Sequence, residues 1–275
     1  MRIKTINARM KRLNKNILVL IFCCTFLVMA VNGYGQDQST NLAKKTQNPV
    51  SDLISVPFQN NFNFGVGSED ELQYVLNIQP VVPQRISDQW NWIHRAIIPV
   101  IDQPAPVDKF GVGDIQYQGF LSPAKTSELI WGVGPVISVP SATDDLLGTE
   151  KWSAGVGAVA LRMDGPWVYG ALVNNIWSFA GDDDRADVNQ MLIQPFVNYN
   201  LGRGLAIGSV PIITANWEAA SGQKWTVPIG AQVSQIVPIG KLPVNFMFGA
   251  YYNIEKPDNG PNWSLRFQIA LLFPK

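Results

Sequence analysis

The sequence predicts an all-β fold: a single antiparallel transmembrane β-barrel of about twelve strands that follows an N-terminal signal peptide. Three observations predict it. They are a secretory leader, many stretches in which apolar and polar side chains alternate, and connections between strands that alternate between long and short. Alternation with a period of two suits a membrane strand, which turns its apolar face to lipid and its polar face to a wet lumen. A large soluble β-sandwich, which turns the apolar face inward, is the alternative that alternation alone leaves open.

Residues 1–35 have the three parts of a secretory signal peptide. A basic segment with six Lys or Arg and no acidic residue comes first, residues 17–31 are almost wholly apolar, and a small-residue cleavage site follows at residues 33–35. The apolar run is short for a transmembrane helix. Cys23 and Cys24, the two cysteines of the chain, both lie inside it. The exported chain therefore needs neither a disulfide nor a thiolate metal site.

The exported chain, residues 36–275, carries 15 basic and 21 acidic side chains, a net charge of about minus six. It has no basic stripe, so nucleic acid is not an expected partner. Residues 36–51 are polar and are predicted to be a periplasmic lead-in, with a short plug folded back into the lumen as the alternative. Residues 52–275 are predicted to form the outer-membrane barrel as one domain, because no linker divides them.

The hairpin of residues 167–200 shows most directly how the two faces differ. Trp167 and Trp177 share a face ten residues apart, and ten strand residues tilted by about 45° rise roughly 23 to 25 Å, the height of the apolar band of an outer-membrane barrel. An indole is therefore expected near each headgroup layer. The returning strand alternates an apolar set with a set rich in amides: Met191, Ile193, Pro195, Val197 and Tyr199 against Gln190, Leu192, Gln194, Phe196, Asn198 and Asn200.

Twelve candidate strands follow one another from residue 52 onward. They are predicted near residues 53–64, 72–83, 90–101, 113–123, 128–139, 152–163, 167–180, 190–201, 205–217, 224–237, 242–255 and 263–273. The connections between them alternate between longer polar or acidic loops and tight turns. Long loops on the outside and tight turns inside are typical of outer-membrane barrels, and an even strand count then places both chain ends in the periplasm.

The last strand has the clearest alternation, with Phe267 and Ile269 among the side chains toward lipid. Its closing Phe273, which Pro274 and Lys275 follow, resembles the C-terminal aromatic residue that the barrel assembly machinery recognises. That machinery is therefore an expected partner, beside outer-membrane lipid and lipopolysaccharide.

Prolines interrupt several of the predicted strands. Seven lie inside them: Pro57, Pro80, Pro99, Pro135, Pro195, Pro211 and Pro228. Each removes a hydrogen-bond donor from the ladder, so we expect a break, a bulge or a strand end at each of them.

Four segments carry a resemblance to a known family. They are SPAKTSELIWGVGPVISVPSATDDLLGTEKW (122–152), VNNIWSFAGDDDRADVNQ (173–190), QPFVNYN (194–200) and LRFQIALLFPK (265–275). They resemble the bacterial outer-membrane family often labelled neuromedin U, which is similar to the MetA-like transporters proposed for phenol-degradation pathways. The resemblance covers nearly all of residues 42–275. It implies a β-barrel envelope protein and carries no catalytic residues over.

The inward face of the predicted barrel is mostly uncharged and rich in amides. The candidate lumen-lining residues are Gln59, Asn77, Gln79, Gln116, Gln118, Asn174, Gln194, Asn198, Gln232, Asn245, Asn253 and Arg266. Inward glycines such as Gly132 and Gly230 are expected to leave room, and Asp114, Glu128 and Glu255, with Arg95, are the other charged candidates.

Twelve strands lie between small filled barrels and open porins. We therefore predict a narrow channel or transporter for small neutral solutes, aromatic ones included, whose identity the sequence does not name. A structural or adhesive barrel with a filled lumen is the alternative.

An enzyme is not expected. The single histidine, His94, shares a face with Trp90 and Trp92, and no serine and orienting group with the spacing of a hydrolase accompany it. The acidic clusters at residues 69–71, 144–145 and 182–187 fall in predicted outer loops and lack the order of an EF-hand. We therefore predict no catalytic residue, no cofactor and no metal site.

Overall fold

Twelve strands close into a single antiparallel barrel, which confirms the predicted fold class. The computed structural model describes residues 36–125 and 127–274, and the predicted signal peptide lies outside them. The first strand pairs with the last from Ile54 to Phe64. This pairing closes the described sheet on itself, so the strand edges are satisfied without a partner chain.

Within the described residues, the barrel is built from fifteen strand segments and is preceded by one α-helix. The elements are α1 Gln36–Thr46, β1 Ile54–Val66, β2 Glu71–Ile78, β3 Val81–Arg85, β4 Trp90–Gln103, β5 Lys109–Val112, β6 Ile115–Pro123, β7 Leu129–Val139, a short 3-10 helix Asp145–Leu147, β8 Lys151–Asp164, β9 Trp167–Gly181, β10 Asn189–Gly202, β11 Leu205–Ser209, β12 Ile213–Asn216, β13 Trp225–Ile239, β14 Leu242–Glu255 and β15 Trp263–Phe273. Three barrel strands are split, into β2 with β3, β5 with β6, and β11 with β12. In the described part of the chain, no helix has the length and hydropathy needed to span a membrane.

The two ends of the barrel differ in their connections, as predicted. One end, here the long-loop end, carries the connections at residues 67–70, 104–108, 140–150, 182–188, 217–224 and 256–262. The other, here the short-turn end, carries the connections at residues 86–89, 124–128, 165–166, 203–204 and 240–241 together with α1 and the end of β15.

The breaks in the sheet coincide with prolines, as predicted. Pro80 and Pro211 lie in the gaps that split β2 from β3 and β11 from β12. Pro57, Pro99 and Pro195 lie opposite gaps in a neighbouring strand. Pro135 lies beside a missing ladder pair, and Pro228 lies at a register shift. Because proline has no N–H, it cannot donate to the ladder, and here pairing is interrupted on one side of each of these prolines. Backbone groups freed at the gaps become available to side chains of the lumen.

Outward side chains form an apolar band with aromatic pairs near each end. Val156 on β8 and Ile229 on β13 are 59% and 55% exposed, and an apolar surface of this extent marks contact with lipid. The aromatic pairs are Trp90 with Trp131 and Trp167 with Tyr199 at the short-turn end, and Phe64 with Trp263 and Trp217 with Trp225 at the long-loop end. Two aromatic belts therefore bound the band, as the spacing of Trp167 and Trp177 predicted.

The interior of the barrel is filled at its short-turn end. Phe120, Ile93 and Leu161 have at most 1% of their surface exposed, and they belong to a buried cluster with inward side chains of β8, β9 and β10. A second cluster, on the β13 and β15 walls, contains Ile236 and Leu272. Apolar packing thus occupies the part of the lumen nearest α1 and the end of β15.

The segment of residues 36–53 lies inside this filled end. Leu42 of α1 is buried in the cluster of Ile236 and Leu272, and Val50 is buried in the cluster of Phe120. Gln47 exchanges two amide hydrogen bonds of 3.1 Å with Asn200 on β10. Residues 36–53, here the plug, therefore pack against inward-facing residues of β10, β13 and β15. Burial of apolar side chains on both walls explains this placement.

Candidate functional site

The lumen contains three cavities that follow one another along the barrel. Their volumes are about 170, 560 and 510 Å³. The first, here the inner cavity, is bounded by the plug, and the second and third lie toward the long loops. Neighbouring cavities share lining residues: Gln59, Gln79, Arg95 and Gln194 between the first and second, and Gln116, Ile176, Gln190 and Leu192 between the second and third. The cavities therefore form one series rather than isolated voids.

The structure brings eleven of the twelve predicted lumen residues to these cavities. The inner cavity is lined by Gln59, Gln79, Gln194, Asn198, Gln232, Asn245 and Arg266, the second also by Asn77, Gln116 and Gln118, and the third by Asn174. The remaining one, Asn253, lines none of the three and donates to the backbone oxygen of Pro261 in a long loop.

A waist of three glutamines and one arginine separates the inner cavity from the second. Arg95 Nη2 donates to Gln79 Oε1 at 2.8 Å, and Gln59 Nε2 donates to Asn61 Oδ1 at 3.2 Å. Arg95 and its neighbour His94 lie on opposite faces of β4. The strand alternation places Arg95 in the lumen, where both cavities reach its side chain.

Arg266 is held on the wall of the inner cavity by groups that a strand break supplies. The gap between β11 and β12 frees the backbone of Val210, whose carbonyl accepts from Arg266 Nη1 at 2.9 Å and whose N–H donates to the hydroxyl of Tyr251. The Arg266 guanidinium also lies over the Tyr251 ring, 4.7 Å from its centroid. The side chain of Arg266 is buried and its orientation is set by neutral partners.

The loop of residues 140–150 folds inward at the long-loop end and narrows the second cavity. Asp114 holds it, because its Oδ1 accepts from the N–H groups of Ser141 and Ala142 and its Oδ2 accepts from the N–H and the hydroxyl of Thr149 at 2.7 Å each. This placement could not be predicted from the sequence, since an acid in a strand gap and a loop far along the chain become neighbours only in the barrel.

Three buried polar atoms of the lumen have no hydrogen-bond partner among the described residues. They are Gln118 Oε1 and Ser153 Oγ, on residues that line the second cavity, and Asn174 Nδ2, on a residue that lines the third. Buried polar atoms are normally satisfied by protein or by water. These three atoms are exceptions to that rule within the wall of the barrel.

The inward glycines do not leave the room that the sequence predicted. A Cβ on Gly157 would lie 3.2 Å from the ring of Phe120, and one on Gly230 would lie 2.7 Å from the ring of Tyr251. Each glycine instead provides the flat surface on which a neighbouring aromatic ring packs. This part of the prediction is wrong because glycine space inside a barrel is open to any large side chain on the next strand.

Two charged residues predicted to face inward lie elsewhere. Glu128 is exposed at the short-turn end and forms an ion pair with Arg162, and Glu255 is exposed at the end of β14. The alternation of inward and outward side chains weakens at strand ends, where side chains of both faces reach solvent.

His94 lies on the outer surface near the short-turn end. Its Nδ1 lies 2.9 Å from the hydroxyl of Tyr117 and its Nε2 lies 3.0 Å from Gln84 Oε1. A hydrolase would need a serine hydroxyl at one of these nitrogens. The arrangement is that of a polar cluster in an aromatic belt, with the indole of Trp92 also donating to Tyr117.

The acidic residues of the long loops do not form a metal-ligand cluster. Within residues 36–125 and 127–274, no group of three or more His, Cys, Asp or Glu side chains comes together. Asp144 instead pairs with Lys109 at 2.7 Å and Asp187 with Lys151 at 3.6 Å.

Comparisons with known proteins show the fold class. No protein-family model matches the chain, and no curated protein matches it. An outer-membrane channel from Pseudomonas putida F1 is similar in structure with a TM-score of 0.59 and 16% identity, over 80% of this chain and 94% of that one. Outer-membrane phospholipase A from Escherichia coli has a TM-score of 0.42 and 12% identity, over 90% and 99%. A porin from Rhodopseudomonas blastica has a TM-score of 0.26 and 12% identity, over 80% and 99%.

The protein is a β-barrel of the bacterial outer membrane, as the sequence predicted. The closed twelve-stranded sheet, the lipid-facing band between two aromatic belts and the fold shared with the Pseudomonas channel lead to this conclusion. The narrower resemblance to the family labelled neuromedin U stays a prediction. Lipopolysaccharide and the barrel assembly machinery likewise stay predicted partners.

Proposed function

We propose that the protein is a narrow outer-membrane channel or transporter for small solutes. The observation that carries the proposal is the series of three cavities that share lining residues along the lumen. A solute that enters among the long loops meets the cavities of about 510 and 560 Å³, then the waist, then the inner cavity.

The lining favours solutes that exchange hydrogen bonds. Amide side chains both donate and accept, so they replace the hydration of a polar solute at each step without burying a fixed charge. Neutral polar solutes, aromatic ones included, are the class that the amide lining by itself supports.

The plug defines a closed resting state in this proposal. Residues 36–53 and the apolar cluster of Phe120 fill the short-turn end, so passage requires the plug to move. The same filling supports the second candidate function, a structural or adhesive barrel whose lumen never opens. The two functions differ in whether solute crosses the membrane.

Liposome swelling with the purified, refolded protein separates the two functions. We expect swelling with small sugars and with phenol, together with small conductance steps in a planar bilayer. Liposomes without protein and liposomes with heat-denatured protein serve as controls. Neither swelling nor conductance from a barrel that circular dichroism shows to be folded would favour the structural function.

We further propose that the long loops lie outside the cell and that both chain ends lie in the periplasm. The loop asymmetry supports this orientation. Single cysteines at Asp183 and Asp258 should then react with a membrane-impermeant maleimide on intact cells, whereas cysteines at Gly165 and Arg203 should stay protected. The reverse labelling pattern would show that the orientation is inverted.

A further inference from the structure

Two arginine side chains face the inner cavity without an acidic partner. Arg95 and Arg266 both line this cavity of about 170 Å³. In the described part of the chain, neither guanidinium forms an ion pair with a carboxylate. The one other cation of the lining, Lys45, is paired with Asp52 at 2.8 Å.

The partners that hold the two arginines are neutral. Arg95 donates to an amide oxygen of Gln79. Arg266 donates to the carbonyl of Val210 and to the amide oxygen of Asn61 and stacks on the ring of Tyr251. These contacts fix the direction of each guanidinium and leave its charge uncompensated.

Asp114, the acidic residue on the wall of the second cavity, already has hydrogen-bond partners. Both carboxylate oxygens of Asp114 accept hydrogen bonds from the loop of residues 140–150. Its charge is therefore used to hold that loop at the long-loop end. The inner cavity keeps the character of a positively charged, polar pocket.

An anion would offset the cost of this arrangement. A charge removed from water is destabilising unless a partner of opposite charge is supplied. A guanidinium is planar and presents parallel N–H groups, which match the two oxygens of a carboxylate. The amides of Gln59, Gln232 and Asn245 on the same wall provide further donors.

The rest of the cavity suits a small organic body. Val81, Phe196 and Met247 supply an apolar part of the lining. An apolar cavity of about 150 Å³ holds one benzene molecule, so about 170 Å³ is room for a single ring or a short aliphatic chain.

We propose that the inner cavity binds the carboxylate of a small organic anion between Arg95 and Arg266, with a ring or short chain against Phe196 and Met247. Arg95 lines the second cavity as well, so it meets the anion first and Arg266 receives it. The proposal rests on the channel function and replaces the neutral solute class with an anionic one at this step of the path.

Equilibrium dialysis of the purified protein in detergent tests the site without requiring transport. The probes are benzoate and benzamide, which share a ring and nearly the same size but differ in charge. We expect saturable benzoate binding and at least tenfold weaker benzamide binding. The loss of a hydrogen bond to a charged group predicts that Arg266→Gln weakens benzoate binding by about tenfold to a hundredfold.

Matched variants keep the result interpretable. Arg266→Lys retains the charge and should bind benzoate better than Arg266→Gln does. Arg162→Gln, at an exposed arginine outside the lumen, should bind benzoate as the unaltered protein does. Equal binding of benzoate and benzamide, or unchanged benzoate binding by the double variant R95Q/R266Q with a native circular dichroism spectrum, would overturn the proposal. Equal displacement of benzoate by inorganic phosphate would overturn the carboxylate assignment.

Swelling assays with the same two probes separate this proposal from the channel function. Benzoate binding without swelling by any solute would leave the anion site standing and remove the channel. Swelling at equal rates in benzoate and benzamide, unchanged in R95Q/R266Q, would leave the channel standing and overturn the anion site.

Discussion

The two ends of the lumen are built from the same twelve strands but are filled differently. At the short-turn end, Phe120 and Ile93 are fully buried and the plug of residues 36–53 packs between two apolar clusters. At the long-loop end, two cavities of about 560 and 510 Å³ are lined by amides together with apolar side chains, and one inward loop partly covers them. The filled end supplies tertiary packing, and the hollow end supplies space for a solute.

This contrast shows that the number of strands does not determine which side chains fill the lumen. Strand number fixes the diameter of a barrel, and a twelve-stranded interior is wide enough for either a packed core or a cavity. Here aromatic rings that pack on glycines close one end. At the other end, strand gaps and a folded loop leave cavities that amide and apolar side chains line together. Substitutions at one end should therefore leave the packing of the other end unchanged.

The largest effect is expected from fastening the plug to the wall. A Cβ on Gly132 would lie 3.0 Å from Val50 Cγ1, so the variant V50C/G132C brings two sulfur atoms within bonding reach. In the channel function the plug must move, and the oxidised variant should therefore swell liposomes no faster than protein-free ones. Reduction with dithiothreitol should restore the flux.

The single variants V50C and G132C control for the substitutions, since neither can form the bond within one chain. Full flux through the oxidised, mass-confirmed disulfide form would show that solutes pass without movement of the plug at residue 50.

The next largest effect is expected from removing the ring that closes the filled end. Phe120 is fully buried and packs against Gly157 and Val50. Phe120→Ala should lower the free energy of unfolding by about 3 to 5 kcal/mol, because the lost transfer energy adds to the cost of the cavity. Urea denaturation in detergent micelles, followed by tryptophan fluorescence, measures the change.

Leu146→Ala at the hollow end is the matched comparison. Leu146 is 54% exposed, so its truncation should change the free energy of unfolding by no more than about 0.5 kcal/mol. Equal losses at both positions would show that the two ends do not differ in packing.

The smallest effect is expected in the loop at the hollow end and depends on pH. Asp144 accepts a hydrogen bond from Lys109 and caps the 3-10 helix through the N–H of Leu146. The hydrogen bond from Lys109 is the main cause that lowers the pKa of Asp144 below its ordinary value. A carboxyl with a lowered pKa stabilises the folded loop above its unfolded pKa and loses this contribution as pH falls through the folded value.

Hydrogen–deuterium exchange of residues 145–149 should therefore quicken as the pH is lowered toward about 3, after correction for intrinsic exchange. Asp144→Asn should show the faster exchange already at neutral pH, and Asp183→Asn in the neighbouring loop should not. An unchanged exchange rate in Asp144→Asn would show that the pairing of Asp144 with Lys109 does not stabilise the loop.

Much of the barrel could be predicted from the sequence because strand alternation is a local property. The outward positions of Trp167, Trp177 and Ile269 follow from a period of two, and the closure of twelve strands follows from their even count and the alternating loops. The breaks at Pro80 and Pro211 follow from the chemistry of proline alone. Most of the amide lining followed in the same way.

The contents of the lumen could not be predicted in this way. That Phe120 covers Gly157, that Asp114 holds Thr149, and that Val210 binds Arg266 all depend on strands or loops brought side by side by closure. Residues 36–51 are polar on average, and the burial of Leu42 and Val50 appears only when the two clusters that receive them exist.

The fold class, the lipid-facing side of most strands and the positions of the ladder breaks could be read from the chain alone, because each of these depends on neighbouring residues. Which end is filled, where the plug lies and that Arg95 and Arg266 share a cavity without an acid became apparent only in the folded barrel. These features arise from contacts between residues far apart in the chain, which a local pattern does not encode.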